Sequence, residues 1–415
     1  MMKLKTDILI AGAGPTGLAL ATSLQQAGVD HLLVDALDYA QNSSRAAVVH
    51  AHTLEMLETI GVTAELESQG MAVPDFVIRD RDQTLLKLSF DDLPSTFRHL
   101  LMVPQSTTEA VLQARLEELG GCVHRGIRVL DADQDDEGAL ASIMTPEGER
   151  IVTARYVVGA DGMHSNIREA AGIGFEGEAY DASFILADVR MDWALGADEV
   201  SLFFSPQGLV VVAPLPGGAY RIVATLDDAP EKPTIADIQR LLDARGPTVR
   251  SLVTDIGWAS RFRVHHRLAD RYRAGPFMLM GDAAHVHSPA GGQGMNVGLV
   301  DAIVLGRALT RVVQGGESDR LLDAFAEIRR PAAEKVLALA SRLTRAATLR
   351  SPVGRQVRNL LLRLINRVPP LKRRLALGLS GLDRRPFSEL PRQSSVAPLS
   401  LPGKRALAPI PGKAY

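Results

Sequence analysis

The chain is 415 residues long, 46% hydrophobic and 23% charged, with a formal net charge of −2. That length suits two or three domains with a sizeable core, and the near-neutral balance gives nucleic acid no global attraction. Cys122 is the one cysteine, which excludes an internal disulfide or a multi-cysteine metal site and suits a reducing compartment such as the cytoplasm.

The opening "MMKLKTDILIAG" carries two lysines and a short apolar run. The run breaks into a glycine turn without a cleavage-like ending, so it reads as a first strand rather than a secretion signal. In residues 6–35 an apolar run at Ile8–Ala11 predicts a buried strand. Helix formers from Gly17 to Ala27 follow and stop at Gly28, and "HLLV" predicts a second buried strand ending at Asp35. This is a βαβ unit. In its turn, Gly12-Ala13-Gly14-Pro15-Thr16-Gly17, the first glycine permits the tight turn, the second lets a pyrophosphate approach, and the third lets helix and strand pack closely. Phosphates would rest on the helix N-terminus, with Asp35 on a ribose diol. The motif points to a dinucleotide without separating NAD(P) from FAD.

Short β-like stretches follow at "DFVIRD" and "TLLKLSF", then a helix at 106–121 and a β-meander over 122–158 with "DADQDDEG" and "PEGE" as turns. Asp131, Asp133 and Asp135 imitate the start of a calcium loop. Asp136 stands where glycine is needed and Ser142 where the closing glutamate belongs, so a solvated hairpin turn is expected. Gly159-Ala160-Asp161-Gly162 forms a turn after a strand, with Ser165 and Asn166 as caps for the helix beyond. Four apolar stretches within 183–226 predict a separate antiparallel sheet. From there the chain is expected to be mainly helical, with a Pro/Ser-rich tail from about Pro386.

The third glycine motif, "GDAAHVHSPAGGQGMN" (281–296), lies between the strand "FMLM" and an amphipathic helix. Asp282, His285 and His287 look like metal ligands, but no third histidine or cysteine at metal-site spacing accompanies them, and no metal is expected. Gly281-Asp282 closes a strand at a turn suited to the hydroxyls of an extended ligand. Gly291–Gly294 leads into a helix N-terminus that can present N–H groups to developing negative charge.

In this order the three motifs resemble those of the single-component FAD-dependent aromatic hydroxylases, whose prototype is para-hydroxybenzoate hydroxylase, across roughly residues 4–345. The resemblance implies an α/β fold with a Rossmann-like FAD-binding domain (1–72, 105–175 and 270–340) and a substrate-binding antiparallel β-sheet domain (73–104 and 176–269). A C-terminal helical region (341–390) and an irregular tail (391–415) complete it. It further implies that Gly12, Gly14, Pro15, Thr16, Gly17 and Asp35 hold the ADP half of FAD, and that Arg45 reaches the phosphates. Gln105 would bond the flavin chain, Asp161 and Gly162 would touch FAD and the incoming nicotinamide nucleotide, and Gly281 and Asp282 would hold the ribityl hydroxyls. Pro289, Gly292, Gly294, Met295 and Asn296 would face the isoalloxazine ring, with Pro289 and Gly294 nearest the chemistry. His52 stands where relatives often carry a second arginine, which implies a weaker or pH-dependent contact. The thioredoxin-like C-terminal domain of many longer relatives is not expected here.

In that family NADPH or NADH reduces FAD, and a flavin C4a-hydroperoxide then passes oxygen to an activated ring. The protein orients the ring and excludes water. A small aromatic substrate is implied, phenolic or polycyclic, lying against the sheet at 183–226. His287, Arg190, Tyr220 and Arg221 are candidate substrate-activating groups by residue type alone. Epoxidation, Baeyer–Villiger insertion, reduction, or binding without turnover stay open on the same scaffold. Trp193 and Trp258 are too far apart for the tryptophan-rich segment of the related halogenases. No nucleic-acid partner is expected, and the protein should be a monomer or homodimer. Residues 342–385 carry twelve basic residues against one acid, Asp383, interleaved with leucines. Helices capping the pocket are the favoured reading, and weak contact with a membrane surface is the alternative.

Overall fold

The computed structural model describes residues 4–39, 46–136, 138–226, 229–289, 291–349 and 351–392, without the side chains of 179–182 and 263–264. Arg45 and the tail therefore lie outside the described residues.

Strand β1 (Lys5–Ala11) has Ile8, Leu9 and Ile10 fully buried, as a strand flanked by parallel neighbours and covered by helices requires. Helix α1 (Pro15–Gln26) begins on a proline, which loses no needed donor there, and β2 (His31–Val34) returns parallel to β1. Strands β3 (Asp75–Asp80) and β4 (Gln83–Ser89) start a second sheet, and helix α2 (Gln105–Glu118) leads the chain back to the first. There β5 (Arg128–Asp135), β6 (Gly138–Thr145) and β7 (Gly148–Gly159) form a meander whose last strand pairs parallel with β1. The short helix α3 (Asn166–Ala170) follows.

The chain then builds the second sheet from β8 (Phe175–Asp192), β9 (Glu199–Ser205), β10 (Gly208–Leu215) and β11 (Ala219–Leu226). Helix α4 (Ile235–Arg245) covers its far side ahead of β12 (Leu252–Ala269). Strand β13 (Phe277–Leu279) re-enters the first sheet beside β7. Helix α5 (Gly294–Val313) is buried along most of its length, and α6 (Arg320–Ala347), α7 (Pro352–Asn366) and α8 (Pro369–Ser380) end the chain before a 3-10 turn at Leu382–Ser388.

The first sheet has the order β13, β7, β1, β2 along its parallel part. The chain leaves β1 toward β2 on one side and returns to β7 on the other, so a crevice opens at the carboxyl ends of β1 and β7. Gly12 and Ala160 stand at its two lips. The second sheet has eight strands, six of them β12, β8, β11, β10, β9 and β3 in spatial order, with β4 at one edge. Its other edge is the two-residue strand His285–Val286, so the third glycine motif joins both sheets.

Three expectations fail. Strand β5 runs straight through Asp131, Asp133 and Asp135, which occupy its exposed face while Ala132 is buried; the hairpin turn is confined to the residues after Asp135. Residues 122–127 make one bridge, Val34 to His124, and no regular strand. The stretch after 226 is not mainly helical up to the third motif, because β12 runs for 18 residues. Its sequence lacks an apolar run, and most of its side chains are half-buried; the ladder to β8 holds it. Among the described residues no helix is long and apolar enough to cross a membrane.

Candidate active site

A cavity of about 500 Å³ lies between the two sheets. One wall carries Gly14, Pro15, Thr16, Gly162 and Asp282 from the glycine turns, with Gln105 at the start of α2. Pro289, Gly292, Gly294 and Met295 form its floor, and the second sheet closes it with Phe76, Leu186, Leu202, Val211, Val223 and Phe262.

The glycines divide by what a side chain would meet. Gly12 has φ +102, and a Cβ there would lie 2.4 Å from the Ala160 carbonyl oxygen; one on Gly17 would lie 1.8 Å from the Gly12 carbonyl oxygen. Both are packing glycines. A Cβ on Gly14 or Gly162 would meet nothing within 4 Å, so these two leave open backbone at the cavity. Gly281 (φ +59) and Gly298 both clear Thr16, whose hydroxyl would lie 2.8 and 2.6 Å from added Cβ atoms. The third motif thereby seats α5 against the start of α1.

Open backbone at two turns, a helix N-terminus pointing into the same space, an exposed acid at Asp282 and enclosed unpartnered nitrogens at His50 Nδ1 and His287 Nε2 fit an extended dinucleotide carrying a flat ring. Residues 5–340 match the sequence profile of the FAD binding domain family. The chain belongs to the FAD-dependent aromatic hydroxylases. It is 34% identical to pentachlorophenol 4-monooxygenase of Sphingobium chlorophenolicum over 80% of its own length, and spans 63% of that relative. The solved anhydrotetracycline hydroxylase of Streptomyces rimosus superposes with a TM-score of 0.76 at 34% identity, covering 91% of this chain and 76% of that one. Aklavinone-11 hydroxylase, solved with FAD and aklavinone, gives 0.72 at 29% identity, covering 84% and 70%.

Within this hydroxylase scaffold, several residues singled out in the sequence hold the site rather than line it. Asp35 accepts the Ala13 N–H at 2.6 Å and the Leu37 N–H at 2.8 Å, so it braces the first turn from outside the cavity. Asp161 turns away from the cavity and accepts the Asn166 N–H at 2.9 Å, while the Ser165 hydroxyl accepts the Arg168 N–H at 3.0 Å. Together they cap α3, and burial pushes the Asp161 carboxyl above its ordinary range. Asn296 accepts the His50 N–H at 2.8 Å and donates to the Val48 and Gly292 carbonyls at 2.9 Å each, pinning the loop of Gly291–Gly294. Gln105 accepts the Ala46 N–H at 3.3 Å and donates to Glu109 at 2.8 Å, with its side chain still at the cavity edge.

The two histidines of the third motif separate cleanly. His285 is buried, with Nε2 2.7 Å from Asp301, which also accepts from Arg329 Nε at 2.7 Å. Burial pushes the Asp301 carboxyl up, but Arg329 and the His285 bond outweigh it and hold the carboxyl below its ordinary range. His287 borders the cavity. It donates Nδ1–H to the Ser288 carbonyl at 2.8 Å, which leaves Nε2 as an acceptor. Burial lowers its pKa to about 4, and His50, beside Gly291, is lowered to about 4 for the same reason. Among the described residues no three His, Cys, Asp or Glu side chains gather to hold a metal.

Of the other candidate groups, Arg221 reaches the cavity but is gripped by Asp188, with both nitrogen–oxygen distances 2.7 Å, and by the Ala46 carbonyl at 2.7 Å. Arg190 is exposed and donates to the Gly217 carbonyl at 3.0 Å, and Tyr220 sits beside Trp193; neither lines the cavity. His52 faces the C-terminal turn instead, with Nε2 3.1 Å from the Ser388 hydroxyl, and burial lowers its pKa.

Three arginines do work the motifs did not assign. Arg168 donates to the Ala283 and Met163 carbonyls at 3.0 and 2.9 Å and stacks 4.0 Å over Phe175, clamping the second and third glycine turns together. Arg329 falls among Phe325, Ala332, Ala333 and Val336 on the buried face of α6, and a charge at a core position of a helical pattern is the signal that could have found it. Arg384 donates to Gln293 Oε1 at 2.7 Å, and Gln293 donates to the Leu379 carbonyl at 2.8 Å, locking the C-terminal helices onto the loop of Gly291–Gly294.

Proposed function

We propose that the protein is an NAD(P)H- and FAD-dependent monooxygenase that places one oxygen atom of O2 on an aromatic ring, phenolic or polycyclic. One observation carries this reading: a single cavity runs from the phosphate-type turn at Gly14, past Gly291–Gly294, to an apolar wall of the second sheet. A dinucleotide laid along the glycines would present its far end to Phe76, Leu186, Leu202 and Phe262, and a flat apolar ring suits that wall. Relatives named for pentachlorophenol and anhydrotetracycline support a phenolic or polycyclic substrate.

When bound, FAD supplies the redox chemistry, using two electrons from NADPH or NADH so that one oxygen of O2 enters the ring and the other leaves as water. The chain's own residues do the rest. Gly14 and Gly162 would give the cofactor open backbone, Asp282 would accept from its hydroxyls, and the N-terminus of α5 would favour negative charge beside it. The enclosing sheet excludes water. His287, neutral near pH 7 and fixed in one tautomer by Ser288, is the group we assign to orient a substrate hydroxyl, whose hydrogen bond Nε2 accepts. The assignments of 1–72, 105–175 and 270–340 to FAD and of 73–104 and 176–269 to substrate follow the same logic. A cytoplasmic location follows from the demand for NAD(P)H and from an exposed free thiol at Cys122.

The test is a panel of phenols and polycyclic aromatics offered to the purified, FAD-loaded protein with NADH and with NADPH. A ring compound should accelerate nicotinamide oxidation and emerge heavier by one oxygen. Tight FAD and ring binding with no oxygenated product would replace catalysis by binding alone.

A further inference from the structure

Helix α7 meets the body of the protein through few groups. Arg358 donates to the Ala346 carbonyl at 2.7 Å and lies 4.6 Å over the Phe204 ring, and Asn359 donates to Asp80 at 2.7 Å. The Asn366 side chain accepts the Lys87 N–H at 3.0 Å, and Leu362 and Ile365 pack partly against the core. Opposite these anchors, Val353, Val357, Leu360 and Leu364 follow one another at spacings of four, three and four, which places them on one face. All four are exposed, Leu360 at 58% and Val353 at 70%. The next helix continues the surface with Leu371 and Leu375, also exposed. Soluble surfaces seldom gather so many large apolar side chains in one place unless something covers them.

The charges around the stripe say what that is. Arg367, Arg373 and Arg374 are exposed along it, Arg363 beside it donates to Gln83, and residues 352–375 contain no acid. A second copy of this chain would bring the same cations against their own images, so pairing of copies is disfavoured. An apolar stripe flanked by exposed cations matches a lipid surface bearing negative headgroups, with leucines entering the acyl boundary and arginines at the phosphates.

We propose that α7 and α8 form a docking surface for an anionic membrane. The surface is continuous with the cavity, since α8 carries Leu371 and Leu375 outward and ends with Leu379 in the cavity wall. This placement is independent of the reaction proposed above.

Flotation of the full chain with phosphatidylcholine vesicles, with and without phosphatidylglycerol, tests it. Two variants are compared: L360D/L364D, which interrupts the stripe, and R373E/R374E, which reverses the rim. Bound flavin and melting temperature, both expected to stay at wild-type values, report that each variant is folded. The protein should float with phosphatidylglycerol vesicles at about 50 mM salt, far less at about 500 mM, and not with phosphatidylcholine alone. Each variant should lose affinity by about tenfold or more. No flotation at low salt, or flotation untouched by both variants, would overturn the proposal. Self-association abolished by L360D/L364D without vesicle binding would likewise overturn it and give the face to a second copy.

Discussion

Asp301 shows how much of the third motif is structural. Its carboxylate is fully enclosed and answered by Arg329 and His285. Removing its charge leaves a buried guanidinium without its counter-ion, so Asp301→Asn should cost about 3 kcal/mol or more in denaturant unfolding. A variant as stable as wild type would mean the network contributes little. The glycines give a contrasting pair. Gly14→Val has room in the fold but fills the place of a phosphate, so the variant should fold and fail to retain FAD. Gly17→Ala collides with the Gly12 carbonyl and should lower the melting temperature whether or not flavin is added. Equal effects at both positions, measured by flavin content and thermal unfolding, would contradict this division of labour. His287→Ala, with its Nε2 acceptor gone, should lower kcat/KM for a phenolic substrate by about tenfold while flavin content holds. Unchanged kcat/KM would leave His287 as a packing residue.

At the scale of elements, the loop of Gly291–Gly294 is held by neutral histidines. His50 and His287 have folded-state pKa values of about 4 against an ordinary 6.5. The unfolded chain therefore binds more protons between pH 6.5 and 4, and stability falls as pH drops through that window. For His50 alone the loss is on the order of 3 kcal/mol by pH 4. The melting temperature should drop across this range, and His50→Gln should flatten the drop; an equally steep profile in that variant would place the acid sensitivity elsewhere. The turn that carries His287 was readable because glycines mark both its ends and an apolar strand precedes it, whereas no glycine marks the segment of His50. The strands β1 and β2 came through because both are buried and uniformly apolar. Strand β12 was hidden, since its pairing with β8 does the work that a hydrophobic run does elsewhere, and its arginines and histidines read as helix or loop. The acids of β5 read as a turn for a related reason: on an exposed face, alternation of Asp with small residues looks like loop composition.

For the whole molecule, the cavity is a product of topology. Its cofactor side comes from three turns with recognisable spacing, so Gly14, Gly162, Asp282 and Gly294 could be placed from sequence. Its other side comes from one or two residues on each of six strands from Phe76 to Phe262, and no local pattern announces that Leu186, Leu202 and Val223 face the same space. The locking arginines were equally hidden, because Arg329 and Arg384 meet Asp301 and Gln293 only after the C-terminal helices fold back. The scaffold is therefore legible to the level of a flavin hydroxylase, while the apolar wall, to which we assign substrate choice, is not. The proposed reaction requires this wall to hold an aromatic ring while one atom of O2 is placed upon it. Turnover of an accelerating ring compound under isotopically heavy O2 tests that most directly. One heavy oxygen in the product, with one nicotinamide oxidised per product, is the predicted result; an oxygen drawn from water, or nicotinamide oxidation with no oxygen in the ring, would contradict it.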